Sequence, residues 1–368
     1  VRRRQWAETT LEEQPEGVVI TRHGAPRGGA PWTHMYGDVA NSAKSNDALV
    51  RAPLGLLWFG GNSHDDVLPR HGHGPPEQVI GGRLFIEGLN SISARDVYSG
   101  IVLWRRNLGD LGTDGIYFDA SFNDNPLDTS YNQLHIPGAN ARGTNYVAAA
   151  DAIYVARGPE CLVLSPGDGS TIRTIMLPTT AGADPPGPWG YIGVSGDLLI
   201  GGTGFSRFSA ALETTAGGVW DDQDNTSSRG IAVFNRHSGE LLWQRPARLS
   251  FRHNAICASS STLFCIDALP EPIISQMQRR GTPPTEASSL LALDLNTGDI
   301  RWERTEGVFG TWLSFSTEHQ LLVQAGRASR DMLKGEPTNR MMVLQGRDGD
   351  VVWDHAAQHG GPVMLHGN

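Results

Sequence analysis

Short runs of alternating apolar and polar residues recur along the chain, each followed by a turn signal and a tryptophan. Segments 94–104 (ARDVYSGIVLW) and 292–302 (ALDLNTGDIRW) both fit AxDxxxGxxxW. Segment 233–243 (VFNRHSGELLW) has Asn235 in place of the Asp, and segment 343–353 (VLQGRDGDVVW) has Gln345 there. Segment 163–173 (VLSPGDGSTIR) replaces the tryptophan by Arg173, and 54–58 (LGLLW) keeps only the final strand. Apolar alternation before the Asp predicts a strand. The Asp caps its own backbone and the Gly four residues on takes positive φ, which predicts a tight turn into a second strand. A two-stranded hairpin cannot bury an indole alone, so each tryptophan must pack on a neighbouring unit. Trp104, Trp243, Trp302 and Trp353 are all expected to be buried in this way. Arg173 is expected to lay its stem on the adjacent unit and keep its head in water.

A further apolar pair precedes each copy, for example 77–80 with 83–87, 145–149 with 152–156, and 311–314 with 320–324. Each unit is then a four-stranded antiparallel sheet, and tandem units of this kind predict an all-β fold, a β-propeller. The marker positions from Trp58 to Trp353 are separated by 46, 69, 70, 59 and 51 residues. A bare blade takes about 40–50 residues. The excess falls in the polar stretches 109–140 and 206–228, which are read as loop insertions rather than separate domains.

Composition agrees. The 45 glycines and 22 prolines among 368 residues argue for many short strands and against a helical bundle. The net charge of −9 argues against a generic binder of nucleic acid or anionic membrane. No apolar run approaches the roughly 20 residues that span a bilayer. Cys161, Cys257 and Cys265 form no complete disulfide framework. Cys257 and Cys265 flank a Ser/Thr turn and read either as small apolar strand residues or as a cross-strand disulfide.

The AxDxxxGxxxW pattern resembles the repeat of quinoprotein dehydrogenases, the pyrroloquinoline-quinone (PQQ)-like β-propellers, and that of BamB-type assembly propellers. The resemblance covers 32–368, leaving 1–31 as an N-terminal extension or linker. The stretches 32–38 (WTHMYGD) and 126–145 resemble a bacterial subfamily of PQQ-like-repeat proteins. The family implies seven or eight blades, of which five to six are present here. Residues 360–368 read as the first strand of a sixth unit, so the natural polypeptide is expected to continue, with a compact six-bladed ring as the rival reading. The family also implies a periplasmic or secreted location. Quinoprotein dehydrogenases commonly carry a vicinal disulfide over the cofactor, a catalytic Asp and Glu/Asn ligands to Ca²⁺. This sequence has no adjacent cysteines and no CxxCH haem motif, so no cofactor is expected, with PQQ and Ca²⁺ kept as lesser alternatives.

Loops leading into the first strand of each blade face one mouth of a propeller. Here they carry Arg70, His71 and His73; Asn140, Arg142 and Asn145; Trp189 and Tyr191; Arg252, His253 and Asn254; and Trp312. A site built from them would use His71, His253 and Arg142 for any chemistry and the others to bind ligand. The two arginines suit an anionic ligand such as an acidic glycan. His71 and His73 read as a metal pair, a substrate anchor or a solvated loop. His253 reads as a general base or as a hydrogen-bonded structural residue. Asp119, Asp124 and Asp128 offer hard oxygen donors, at a spacing that fits no Ca²⁺ loop template. Asp221, Asp222 and Asp224 read as a solvated loop tip. Two functions follow: a binding or scaffold propeller for a glycan, small molecule or partner protein, and an enzyme, quinoprotein-like or carbohydrate-active, using the same mouth.

Overall fold

The computed structural model describes residues 9–22, 24–61, 66–68, 74–113, 117, 139–179, 186–208, 212–213, 219–220, 223–329, 332 and 335–365. Five four-stranded antiparallel units lie among them, each a simple meander. Unit I comprises Gln78–Ile80, Arg83–Gly88, Ser91–Asp96 and Val102–Asn107, and unit II Tyr146–Ala148, Ile153–Arg157, Glu160–Leu164 and Thr171–Met176. Unit III has Trp189–Ser195, Leu198–Thr203 and Gln223–Asn235, and takes its fourth strand from the first half of Leu241–Ala258. The second half of that long strand opens unit IV, followed by Thr262–Asp267, Ser289–Asp294 and Ile300–Arg304. Unit V is Trp312–Ser316, Leu321–Ala325, Arg340–Gln345 and Val351–Ala356. The first strands of successive units pack against one another, while the fourth strands are largely exposed. This is the arrangement of a propeller, with inner strands around a centre and outer strands at the rim.

The core lies between units rather than within them. Phe85, Ile92 and Trp104 of unit I cluster with Tyr146, Ile153 and Leu162 of unit II, and the later units pair off in the same way. The repeat explains why. The turn glycines hold positive φ, 75° at Gly298, and have no side chain to shield the backbone. The preceding unit's indole fills that space. A Cβ on Gly169 would lie 2.7 Å from Trp104, one on Gly298 2.7 Å from Trp243, and one on Gly349 2.8 Å from Trp302. Each indole Nε1 also donates to a carbonyl of the next turn: Trp104 to Pro166, Trp243 to Leu295 and Trp302 to Gly346, all at 3.0 Å. Trp58 does the same for unit I, lying on Gly100 and donating to Val97 at 2.9 Å. The arginine two residues after the tryptophan, which the sequence reading passed over, adds a second tie. Arg106, Arg245 and Arg304 donate to the carbonyls of Gly169, Gly298 and Gly349.

Two expectations change, and the cysteines follow the first of their two readings, as small apolar strand residues. Trp353 sits in register opposite Val343 but is 36% exposed, because no following turn among the described residues covers it. At unit II, Arg173 pairs with Val163 as its alignment requires, yet the contact on Gly239 falls to Ile175, two residues on. Cys257 and Cys265 do not face each other. Cys257 pairs with Phe264 and Cys265 with Ile256, so the thiols point to opposite faces of the sheet and enter different inter-unit cores. All three cysteines are free and buried.

The segment 32–42 forms a strap across one end of the ring. Trp32 pairs with Val79 of unit I. His34 Nε2 accepts from the Val194 N–H of unit III at 3.0 Å. Val39 O accepts from Ala258 of unit IV, and Ala40 O from Phe315 of unit V. Asn41 Nδ2 donates to both Ile256 O and Leu313 O at 3.0 Å. Val194, Ala258 and Phe315 lie near the ends of their first strands, so the strap closes the end at which those strands finish.

Candidate functional site

The starts of the first strands define the opposite end, the mouth. Arg142 closes a one-turn helix, Ala139–Arg142, in the lead-in to unit II. Its Nη1 donates to Gly190 O of unit III at 3.2 Å, and its guanidinium lies over the rings of Tyr117 and Phe205 at 5.5 and 5.0 Å. His253 of unit IV reaches back to this helix. Its Nδ1 lies 2.8 Å from Arg142 O and its Nε2 2.8 Å from Ser228 Oγ. A carbonyl only accepts, so the ring proton sits on Nδ1, and Nε2 accepts from the Ser228 hydroxyl. Asn254 Nδ2 donates to Asn140 O at 3.4 Å. The mouth therefore joins Arg142, Asn140, His253 and Asn254 through contacts that span units II to IV.

Arg252, the neighbouring residue, is buried and ion-paired with the buried Asp224 at 2.5 Å, and also donates to Thr226 Oγ1 at 2.7 Å. Asp224 is thus no solvated loop tip, and Arg252's charge holds its carboxyl below the usual range against the effect of burial. Asn145 donates to Glu87 Oε1 at 2.9 Å. Burial pushes the Glu87 carboxyl up to about 8, with Asn145 and the Arg142 charge opposing the rise. Glu87 closes the second strand of unit I in an apolar-looking run, so nothing in the sequence marked it.

The aromatic candidates sit deeper. Trp189 is 1% exposed in the core between units II and III, donating to Pro159 O at 2.9 Å. Trp312 is fully buried edge-on to Tyr36, with ring centroids 4.6 Å apart, and its Nε1 has no partner among the described residues. Tyr191 is half-buried against the unit III–IV core. Arg70, His71 and His73 lie outside the described residues, as do Asp119, Asp124, Asp128, Asp221 and Asp222.

Ser228 and His253 have the connectivity of a nucleophile and its base. They are sealed, however. Ser228 is fully buried, and a side chain on either Gly190 or Gly202 would collide with its hydroxyl. Burial, and next the Arg142 charge, push the His253 pKa down to about 3. That leaves it a weak base committed to two protein partners.

Open space lies beside this cluster. A cavity of about 290 Å³ between units IV and V is lined by Arg252, Glu271, Ile274, Phe309, Thr311 and Glu336, among others. A second cavity of about 20 Å³ shares Arg252, Thr311 and Glu336 with it and reaches His253 and Asn254. Glu336 lies in the connection between the second and third strands of unit V. The sequence signal for it was only a charged residue in a Gly/Pro-rich loop.

The fold is a β-propeller. The chain is similar in structure to a europium-containing methanol dehydrogenase, with a TM-score of 0.54 and 10% identity over 89% of this chain and 58% of that one. It is similar to the quinohemoprotein alcohol dehydrogenase of Comamonas testosteroni at a TM-score of 0.53 and 13% identity, over 91% of this chain and 52% of that one. BamB from Moraxella catarrhalis gives a TM-score of 0.44 and 10% identity, over 80% of this chain and 67% of that one. The chain spans just over half the length of each dehydrogenase. No protein-family model and no curated protein matches the sequence.

The described mouth does not fit the quinone that the resemblance implies. PQQ is a tricarboxylate and needs free cations, yet Arg142 and Arg252 are committed to protein acceptors. No group of three His, Cys, Asp or Glu side chains among the described residues converges to hold a metal. No helix among the described residues is long and apolar enough to cross a membrane.

Proposed function

We propose that the chain is a binding or scaffold propeller whose ligand enters the cavity between units IV and V. One observation carries this reading. The groups at the mouth that suit catalysis, Arg142, Arg252 and His253, are buried and bonded to protein, while a cavity of about 290 Å³ beside them stays open. That volume lies at the lower end of the roughly 300–1,000 Å³ usual for ligand sites. The occupant is a small molecule, a monosaccharide-sized part of a glycan, or a side chain of a partner protein. The anionic glycan expected from the two arginines gains no support from their geometry. A location outside the cytoplasm, implied by the resemblance, belongs to the same proposal.

The enzymatic alternative rests on Glu87. A buried carboxyl pushed up to about 8 is suited to deliver a proton near neutral pH. It lines neither cavity, which favours the binding reading.

The test is a small-molecule panel followed by ligand-observed NMR on wild type and Ser288→Trp. Ser288 lines the cavity, and an indole there would fill much of it. Ligands that bind wild type and are lost in Ser288→Trp, with no turnover, support the module. Binding untouched by the substitution overturns the placement.

A further inference from the structure

We propose that the cavity between units IV and V selects ligands carrying a protonated amine, with Glu336 as the acceptor. The inference rests on the binding reading above and adds the chemical class of the ligand.

The charges around the cavity decide its preference. Among the described residues its charged lining is Arg252, Glu271 and Glu336. Arg252 is paired with Asp224 and Thr226, which neutralises it within the wall, and its charge also acts on Glu336. What remains is two carboxylates, and the wall is electronegative on balance. Helix Glu271–Arg279 adds no anion site although its first turn forms part of the wall. Pro272 has no N–H, the N–H groups of Ile273 and Ile274 both go to Pro270 O, and Glu271 itself occupies the positive end.

Glu336 is built to receive a donor. Its Oε1 accepts from Thr311 N at 2.8 Å, Thr311 Oγ1 at 2.9 Å and Arg327 N at 2.8 Å. Those three bonds fix the carboxyl in one orientation. Its Oε2 takes no hydrogen bond from the described residues. Burial pushes the Glu336 carboxyl up, with the bonds from Arg327 and Thr311 and the Arg252 charge opposing the rise. An ammonium group beside Oε2 would supply the solvation that this carboxylate lacks, as a charge-assisted bond. The volume of about 290 Å³ equals roughly ten waters at ~30 Å³ each, enough for an amino sugar or a short diamine.

Three sugars of one ring size separate the possibilities: glucosamine, glucose and glucuronate. Titrated calorimetrically against the whole chain at neutral pH, glucosamine should bind about tenfold tighter than glucose, with glucuronate weakest. Glu336→Gln keeps an oxygen for the Thr311 and Arg327 donors. Its melting temperature should stay near wild type, while it loses most of the preference for glucosamine and leaves glucose unchanged. Equal binding of glucosamine and glucose overturns the amine selection and spares the cavity reading. Tightest binding by glucuronate overturns it in favour of an anion. No binding by any of the three, with putrescine also silent, overturns both. A preference for glucosamine that survives in Glu336→Gln removes Glu336 as the acceptor.

Discussion

The two ends of the ring satisfy their buried polar groups differently. At the strap end, Asn41 serves two carbonyls, His34 accepts from Val194, and Asp38 caps Ala40 and Ser42. Among the described residues every buried side-chain polar atom of segment 32–42 has a partner, although Arg83 Nε and Arg95 Nε and Nη1 of unit I, at the same end, have none. At the mouth, Glu87 Oε2, Asn145 Oδ1, Arg142 Nε and Arg252 Nε are buried without a partner among the described residues. An orphaned buried polar atom costs roughly 1–3 kcal/mol, and such groups persist where something other than stability requires them. The contrast is therefore between the strap segment itself and the cluster around Arg142, and it stands without reference to any resemblance.

The sharpest way to break this contrast is to remove one side chain from each end. Asn41→Ala strips donors from Ile256 O and Leu313 O, both inside the ring. Two orphaned carbonyls at about 2 kcal/mol each predict a loss near 4 kcal/mol in urea unfolding. Arg142→Met at the mouth removes one donor from Gly190 O and keeps an apolar stem under Tyr117 and Phe205. Its cost should stay below about 1 kcal/mol, because a buried charge with an unpartnered Nε is removed at the same time. Equal costs at the two ends would mean that both are structural.

Next in size is the effect of Glu87→Gln. The Glu87 carboxyl stands at about 8 in the folded chain against an ordinary 4.5. A raised carboxyl pKa contributes stability that is complete below 4.5 and is lost as pH rises through 8. At about 1.4 kcal/mol per pH unit, the contribution of Glu87 alone should fall by roughly 3 kcal/mol between pH 4.5 and pH 7. Gln cannot ionise, so the variant should match wild type in acid and exceed it at neutral pH. Parallel stability curves for the two proteins would show that Glu87 is ionised in place, and the mouth would then hold a charge rather than an acid.

Much of the fold was legible because the repeat states its own physics. Asp, Gly and Trp at fixed offsets name a turn and an indole that must find a neighbour, and the register puts Trp104, Trp243 and Trp302 where that logic requires. The logic fails at Trp353, because burial of the marker depends on the unit that follows and not on its own hairpin. The mouth was legible only as a collection of residue types. The lead-in loops bring Asn140, Arg142, His253 and Asn254 into contact at one end. Their partners could not be read, since Asp224, Ser228, Glu87 and Glu336 come from second and third strands or the turns between them. The strap was invisible for the same reason: Asn41 bonds to carbonyls 215 and 272 residues away, and no local pattern reports such a contact.

The smallest effect concerns the two histidines, one at each end. Burial pushes both His34 and His253 down to about 3, with the Arg142 charge helping only at His253. Their ordinary value is 6.5, so below that pH the unfolded chain takes up protons that the folded chain refuses. Stability from each is whole above 6.5 and is lost as pH falls toward 3, at about 1.4 kcal/mol per unit. Glu87 runs the other way over part of that range and offsets one histidine. These three groups together predict a maximum near pH 6.5 and a net fall of roughly 1.4 kcal/mol per unit below it. His34→Gln and His253→Gln should each flatten the acid limb by the same amount, since Gln can accept from Val194 or Ser228 without titrating. Their difference then reads the mouth alone. Adding Arg142→Met to His34→Gln lifts the charge from His253, raises its folded-state value and should end its acid limb at a higher pH, whereas adding it to His253→Gln should leave the end of the limb set by His34 unchanged. Urea melts at pH 3.5, 4.5, 5.5 and 6.5 measure this, and an acid limb that ends at the same pH with and without Arg142 in both backgrounds would dissolve the electrostatic link between Arg142 and His253 on which the mouth's architecture rests.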